Sequence, residues 1–321
     1  MKHIPQSLLE RAAELYDFGA ALRAPTPDPV PEPQPAAVNS APPVPEPVPE
    51  PVVEAPPVLR VVRAAEAPVA PSRPTGMAAK IDRAALAAAG FIVADGPVTG
   101  LAEEFRLIKH QLLARLEGRL GHADERHGAI LICSAQPKAG KTFCAINLAL
   151  SLAGERGIEV LLVDSDFLKP DALATLGIDG SGPGFVDALA DPATNAEDFV
   201  IRTDLPGLSV LPAGRKTNNV PELLASDRTR EVLAKLAAGD RRRIILFDSP
   251  PALMASHATV LASHVGQVLV VVRADQTTEA DLRETIGLLS GCGHVGLVLN
   301  GAGLAVTGRK FGAYDGYGHD Q

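Results

Sequence analysis

Short, almost uninterrupted runs of apolar residues recur through the C-terminal two thirds of the 321-residue chain, with longer helical patterns between them. The runs that predict strands are AILICS (129–134), EVLLVDSD (159–166), RIILFDSP (243–250), QVLVVVRA (267–274) and GLVLN (296–300). Continuous rather than alternating apolar strands are typical of a parallel sheet that is buried on both faces. The pattern therefore predicts an α/β fold, with a doubly wound, mostly parallel sheet.

Two segments before the first of these strands show helical periodicity. Residues 6–22 begin with a capping box, Ser7 and Glu10, which predicts a short amphipathic helix. Residues 100–120 predict a longer helix. Its apolar stripe is Leu101, Phe105, Ile108, Leu112 and Leu116.

Proline divides the chain into parts of different character. Seventeen of the 28 prolines lie between Pro25 and Pro74, where they remove backbone donors and favour extended, solvated chain. The predicted parts are an amphipathic helix (1–24), a disordered proline-rich linker (25–76), a globular domain (77–307) and a flexible tail with two tyrosines (308–321).

Composition excludes several classes of function. A net charge of −8 argues against nucleic acid as a partner, because binding its phosphates needs a basic face. No apolar run approaches the roughly 18 residues of a membrane span. The three cysteines show no paired or metal-ligating spacing and are expected to be small core residues.

A phosphate-binding loop is the best-marked chemical feature. In CSAQPKAGKTF (133–143), Gly140, Lys141 and Thr142 end a loop between a predicted strand and a predicted helix, where backbone N–H groups and the helix dipole face an anion. Lys141 would reach the β- and γ-phosphates and Thr142 would bind Mg²⁺, with Ala139 and Phe143 completing the cradle. The loop departs from the usual pattern, since Ala135 and Lys138 stand where glycines are expected.

Carboxylates follow two more of the predicted strands. Asp164 and Asp166 end EVLLVDSD, and Asp248 ends RIILFDSP. In an open parallel sheet the ligand crevice lies outside the carboxyl ends of the strands, so these side chains are expected near the loop, where Mg²⁺ on a nucleotide would pair them. Taken singly, each aspartate is better explained by a helix cap or a turn, and the nucleotide site is favoured only when they are taken together with the loop.

Together these features resemble the bacterial tyrosine autokinases of exopolysaccharide synthesis, in particular the separate cytoplasmic type that includes those of exosortase loci. The matching motifs are the loop, VDSDFLKP (163–170), LPAGRKTNNVPELLAS (211–226), FDSPP (247–251) and the C-terminal tyrosines. The resemblance runs from about Phe91 to the end. It implies a nucleoside triphosphatase fold of the deviant-Walker type that uses ATP and Mg²⁺.

The same resemblance implies roles for individual residues. Lys141 and Thr142 hold phosphates and Mg²⁺, Asp164 and Asp166 assist the metal, and Asp164 is the expected base for an incoming tyrosine hydroxyl. Asp248 orients Mg²⁺, and Asn300 contacts adenine. The family's arginine after this pair of aspartates is replaced by Leu168 in this chain.

An oligomer and a membrane partner also follow from the resemblance. Glu103, Arg106 and Lys109 match the element with which the family builds rings, although a solvated helix face explains them equally well. The chain is expected to be a homo-oligomer at the inner face of the plasma membrane. A membrane polysaccharide co-polymerase, or chain-length protein, would hold it there.

The tail GRKFGAYDGYGHDQ (308–321) contains two of only three tyrosines, Tyr314 and Tyr317. The resemblance implies that they accept phosphate, and a terminus with incidental tyrosines is the alternative. Two other functions stay open at this point. One is a Min/Par-type positioning ATPase, which needs an extra lysine where this chain has Gln136; the other is a catalytically weak ATP-binding subunit that regulates polysaccharide assembly.

Overall fold

The computed structural model describes residues 78–93, 96–116, 128–238 and 242–302. The predicted N-terminal helix, the proline-rich linker and the tyrosine-containing tail lie outside these residues. Within them, no helix is both long and apolar enough to cross a bilayer.

A seven-stranded sheet in the order β3-β4-β2-β5-β1-β6-β7 forms the centre of the domain. The strands are β1 (Ala129–Cys133), β2 (Glu159–Asp164), β3 (Ile201–Arg202), β4 (Leu208–Leu211), β5 (Arg243–Asp248), β6 (Gln267–Arg273) and β7 (Val295–Asn300). Every pairing is parallel except that of the two-residue edge strand β3 with β4. The predicted fold class is confirmed, and all five predicted strands are present.

Nine α-helices flank the sheet in the described residues. They are α1 (Arg83–Ala88), α2 (Gly100–Leu116), α3 (Lys141–Ala153), α4 (Ala172–Thr175), α5 (Phe185–Ala190), α6 (Val220–Ala225), α7 (Asp227–Ala238), α8 (His257–Ala262) and α9 (Glu279–Leu288). A 3₁₀ turn at Ala196–Phe199 precedes β3.

The helices bury both faces of the sheet in separate apolar clusters. Along β1, Ile130 and Ile132 pack with α1–α4, whereas Leu131 and Cys133 pack with α5–α9. Successive side chains of a strand point to opposite faces, so a strand covered on both sides must be apolar at every position. The predicted stripe of α2 lies in the first cluster, where Phe105 and Leu112 are buried.

The parallel pairing brings the ends of six strands to one edge of the sheet. The registers pair Asp164 at the end of β2 with Asp248 at the end of β5, and Arg273 of β6 with Asn300 of β7. Since β1 ends beside β5 and β6, the loop that follows β1 lies at the centre of this edge.

Candidate nucleotide-binding site

The loop between β1 and α3 is closed from one side by the end of β7. Gly140 caps α3 with a φ of 94°, in the left-handed region that favours glycine, and a Cβ there would collide with the amide nitrogen of Asn300. That nitrogen, Nδ2, donates to the carbonyl oxygen of Ala139 at 2.8 Å. The loop is therefore a shaped turn that Asn300 holds in place.

The first turn of α3 presents its backbone donors to this edge. Among the described residues no side chain caps the helix at Gly140, so its first N–H groups and the helix dipole are available to an anion. Lys141 is 7% exposed. The Thr142 hydroxyl donates to Oδ1 of Asp171 at 3.3 Å. The ring of Phe143 packs against Phe91, with centroids 4.9 Å apart, and so anchors the turn from below.

Two buried carboxylates lie side by side at the same edge. Both oxygens of Asp164 accept backbone N–H bonds, from Ala172 at 3.0 Å and from Asp166 at 3.3 Å. Asp248 is fully buried, and neither of its oxygens has a hydrogen-bond partner among the described residues. A buried charge without a partner is costly, so Asp248 marks a place where a cationic ligand fits.

Burial also changes the acidity of both groups. It raises the pKa of Asp164 to about 7, against the N–H bonds from Ala172 and Asp166, which lower it. Burial likewise raises the pKa of Asp248 to about 8. Thr142 and Lys141 oppose that rise, and the charge of Asp164 adds to it. Both shifts disfavour the ionised forms, and a bound cation would reverse them.

The donor set suits a magnesium ion that is shared with phosphates. No group of three or more His, Cys, Asp or Glu side chains in the described part of the chain could hold a metal ion by itself. Mg²⁺ keeps several waters and binds one or two carboxylates together with substrate phosphates. Of the three predicted ligands, Asp248 has both oxygens available and Thr142 lies in the first turn of α3, whereas Asp164 is already engaged by backbone donors.

Contacts of Asp166 and Phe167 hold the start of the segment after β2 against the domain, and residues 168–170 are exposed. Asp166 is half-buried, and its Oδ1 accepts the backbone N–H of Lys169 at 3.1 Å. The ring of Phe167 meets the ring of His257 edge-on, with centroids 5.5 Å apart. Leu168, which stands in place of the family's arginine, is 58% exposed, so no cation is presented at that position.

Comparison with known proteins identifies the family. Residues 129–289, half of the chain, match a family model described as an AAA domain. The matched span runs from β1 to the helix α9 and contains the loop and both buried aspartates. The chain belongs to this family of AAA domains.

Curated relatives extend the comparison beyond this family model. The chain is 34% identical over 163 residues to a protein named putative tyrosine-protein kinase EpsB, from Ralstonia nicotianae. The match covers 51% of this chain and 21% of that protein, so the chain spans about a fifth of the relative's length. It is 26% identical over 210 residues to the putative tyrosine-protein kinase CapB of Staphylococcus aureus, covering 65% of this chain and 87% of that protein.

A solved structure shares the fold of the AAA domain. The kinase domain of the Escherichia coli tyrosine kinase ETK superposes with a TM-score of 0.59 at 25% identity, covering 71% of this chain and 85% of that one. The resemblance to bacterial tyrosine kinases, inferred from the motifs, is confirmed. Membership of an AAA family with this loop implies nucleotide binding.

The three residues of the predicted ring element lie in α2, and their side chains point in different directions. Glu103 and Arg106 form an ion pair of 2.5 Å on the outer face of α2. Lys109 is buried; it pairs with Glu155 at 2.5 Å and donates to the carbonyl oxygen of Ser151 at 3.3 Å. Its ammonium group thus joins α2 to α3, and only the first two residues present charge to the outside.

Two residues at the edge of the AAA domain belong to no motif. Asp171 reaches the Thr142 hydroxyl, and Arg273 lies half-buried beside Asn300, against Gly301. An acidic residue shortly after a strand-end aspartate, and an arginine that closes an apolar strand, are weak signals in a sequence. The adenine contact of Asn300 stays a prediction; its amide nitrogen is engaged by the loop.

Proposed function

We propose that the chain is an ATP-dependent protein-tyrosine kinase that transfers the γ-phosphate to its own C-terminal tyrosines and regulates exopolysaccharide polymerisation or export. The names of its relatives and the fold of the ETK kinase domain support this proposal. The observation that carries it is the buried carboxylate of Asp248, which has no hydrogen-bond partner in the described part of the chain and lies beside Asp164 at the phosphate-binding loop. That arrangement suits a nucleotide that brings a divalent cation.

Positioning and electrostatic stabilisation account for most of the catalysis of phosphoryl transfer. Lys141 and the first N–H groups of α3 would hold the phosphates. Thr142 and Asp248 would hold Mg²⁺, which neutralises phosphate charge when it is bound. Asp164 would take the proton of the acceptor tyrosine. Burial raises the pKa of Asp164 to about 7, and a cation bound beside it would lower that pKa, so the carboxylate would be ionised and able to accept the proton.

The acceptor residues Tyr314 and Tyr317 lie outside the described residues. Asn300, which touches the loop at Ala139, precedes them by 14 and 17 residues. An extended chain of that length spans about 45–60 Å. Either tyrosine could therefore reach this site or that of a neighbouring copy.

The oligomer and the partner belong to the same proposal. Glu103 and Arg106 lie on the outer face of α2, where a second copy could pair with them. We propose a cytoplasmic homo-oligomer at the inner face of the plasma membrane, held there by a membrane polysaccharide co-polymerase.

Gln136 argues against a positioning ATPase of the Min/Par type. The lysine such an ATPase requires would stand at this position, and the Gln136 side chain instead donates to Oδ2 of Asp281 at 2.9 Å. The bond ties the loop to α9 of the same chain. The other alternative, a catalytically weak ATP-binding subunit, is distinguished from a kinase by measuring phosphate transfer.

The test is incubation of the purified full chain with ATP and Mg²⁺, followed by phosphotyrosine detection and mass spectrometry. We expect phosphate on Tyr314 and Tyr317, no signal from K141M, and loss of signal in the double variant Y314F/Y317F. Y16F is the matched control, because it removes the third tyrosine and should keep the signal. ATP turnover without phosphotyrosine would indicate a positioning ATPase, and binding without turnover a regulatory subunit; either result contradicts the proposal.

A further inference from the structure

Lys138 occupies a backbone conformation that lysine rarely adopts. Its φ is 62°, in the left-handed region where a side chain is unfavourable and glycine is not. Asp275 is the other residue besides glycine with a positive φ in the described part of the chain. Replacing a glycine with lysine at such a place lowers stability, so an advantage of the side chain itself is the natural explanation for it.

Bonds on both sides of Lys138 fix this conformation. The Gln136 side chain is bonded to Asp281 of α9, and the carbonyl oxygen of Ala139 accepts from Asn300 at the end of β7. The loop therefore cannot relax into an ordinary turn without breaking a contact to one of two separate elements. Lys138 is held on the exposed side of the loop.

The charges around the loop indicate what an exposed lysine could do there. Four carboxylates, Asp164, Asp166, Asp171 and Asp248, belong to the segments that end β2 and β5 at this edge. Lys141, the other cation of the loop, is buried at the start of α3. No described residue forms an ion pair with Lys138, so its charge is available to a ligand.

A ligand at this edge is indicated independently by Asp248, which is fully buried with no partner for either oxygen among the described residues. A nucleoside triphosphate adds its own negative charge to these carboxylates. The N-terminus of α3 and Lys141 offset the charge of the phosphates nearest the helix. Lys138, three residues before Lys141 and on the exposed side of the loop, is then placed to contact the terminal phosphate.

We propose that Lys138 is a second phosphate-binding cation, which contacts the terminal phosphate of a bound nucleoside triphosphate and so offsets its unfavourable backbone conformation. This inference rests on the proposed nucleotide site but not on transfer to tyrosine. The contact of Lys138 with the terminal phosphate makes the loop selective for a triphosphate over a diphosphate. Release of the product nucleotide would follow from loss of this contact.

The test compares the binding of fluorescent ATP and ADP analogues, each with Mg²⁺, to the full chain and its variants. We expect K138Q to weaken ATP binding about tenfold, the scale of one charge-assisted contact, and to change ADP binding less than about twofold. K138R should retain most of the preference for ATP. K235Q, which removes an exposed lysine of α7, is the matched control and should bind both nucleotides as the parent does.

A fourth variant separates the ligand contact from the strain. K138G should lose ATP affinity as K138Q does but unfold at a higher temperature, because glycine adopts the φ of 62° without strain. Unchanged ATP affinity in K138Q would overturn the inference, and so would equal losses for ATP and ADP. A parent chain that binds neither nucleotide overturns the nucleotide site as well. Triphosphate preference without phosphotyrosine supports this inference and contradicts only the kinase proposal.

Discussion

Replacing Asp248 with asparagine should stabilise the nucleotide-free protein while removing its response to Mg²⁺ and ATP. The side chain is fully buried and has no hydrogen-bond partner among the described residues. Asparagine has nearly the same shape and carries no charge. The variant therefore removes the cost of a buried carboxylate together with the group that would hold the cation.

The pKa of Asp248 sets the size and the sign of the effect. Below pH 3.8, its ordinary value, the carboxyl is protonated in both the folded and the unfolded chain and has no effect. Between 3.8 and about 8 the folded state keeps a proton that the unfolded state releases, so stability falls as the pH rises.

At pH 7 the loss amounts to about 4 kcal/mol, from roughly 1.4 kcal/mol per pH unit. The variant recovers this loss, but its unsatisfied amide offsets about 2 kcal/mol of the gain. The net gain of about 2 kcal/mol corresponds to about 4–8 °C in melting temperature for a domain of this size.

Thermal unfolding at several pH values, with and without Mg²⁺ and ATP, measures both parts of this prediction. D248N should be about 2 kcal/mol less stable than the parent near pH 4, where only the unsatisfied amide matters, and should become more stable than the parent as the pH rises towards 8. Saturating ligand should raise the melting temperature of the parent only. D227N is the control, because Asp227 is 85% exposed and its replacement should change stability by less than about 0.5 kcal/mol. A D248N protein that melts below the parent at pH 7 would refute the reasoning.

Three further changes test other parts of the structure. R243M should lose about 3 kcal/mol of unfolding free energy in urea, because the buried Arg243 pairs with Glu159 and Glu197 and its removal leaves both carboxylates uncompensated; an unchanged midpoint would contradict this. K109A should lower stability by about 1–2 kcal/mol, as a partly buried pair is broken, without changing the mass in sedimentation. G140A should abolish nucleotide binding in titration calorimetry, since its Cβ would displace Asn300 from the loop; retained binding would show that the contact is dispensable.

The sequence by itself determined the class of fold and the centre of the site. Strands such as β1 and the middle of β5 are covered by helices on both faces, and this favours an unbroken run of apolar residues, a signal that needs no structure to detect. Gly140 and Lys141 between a strand and a helix likewise predict a phosphate loop locally. In the folded sheet β2 lies beside β5, and this pairing brings Asp164 and Asp248 together.

The short strands β3 and β4 left no such signal, because four residues or fewer carry too little periodicity to separate a strand from a loop. The sequence does not show whether Lys109 faces a neighbouring copy or α3. Only the packing of α2 decides that it pairs with Glu155. The contact of Asn300 with Ala139 joins residues 161 positions apart. Local patterns specify the elements and the chemistry of the loop; contacts between distant segments decide which charges stay available, because burial and pairing exist only once the chain has folded.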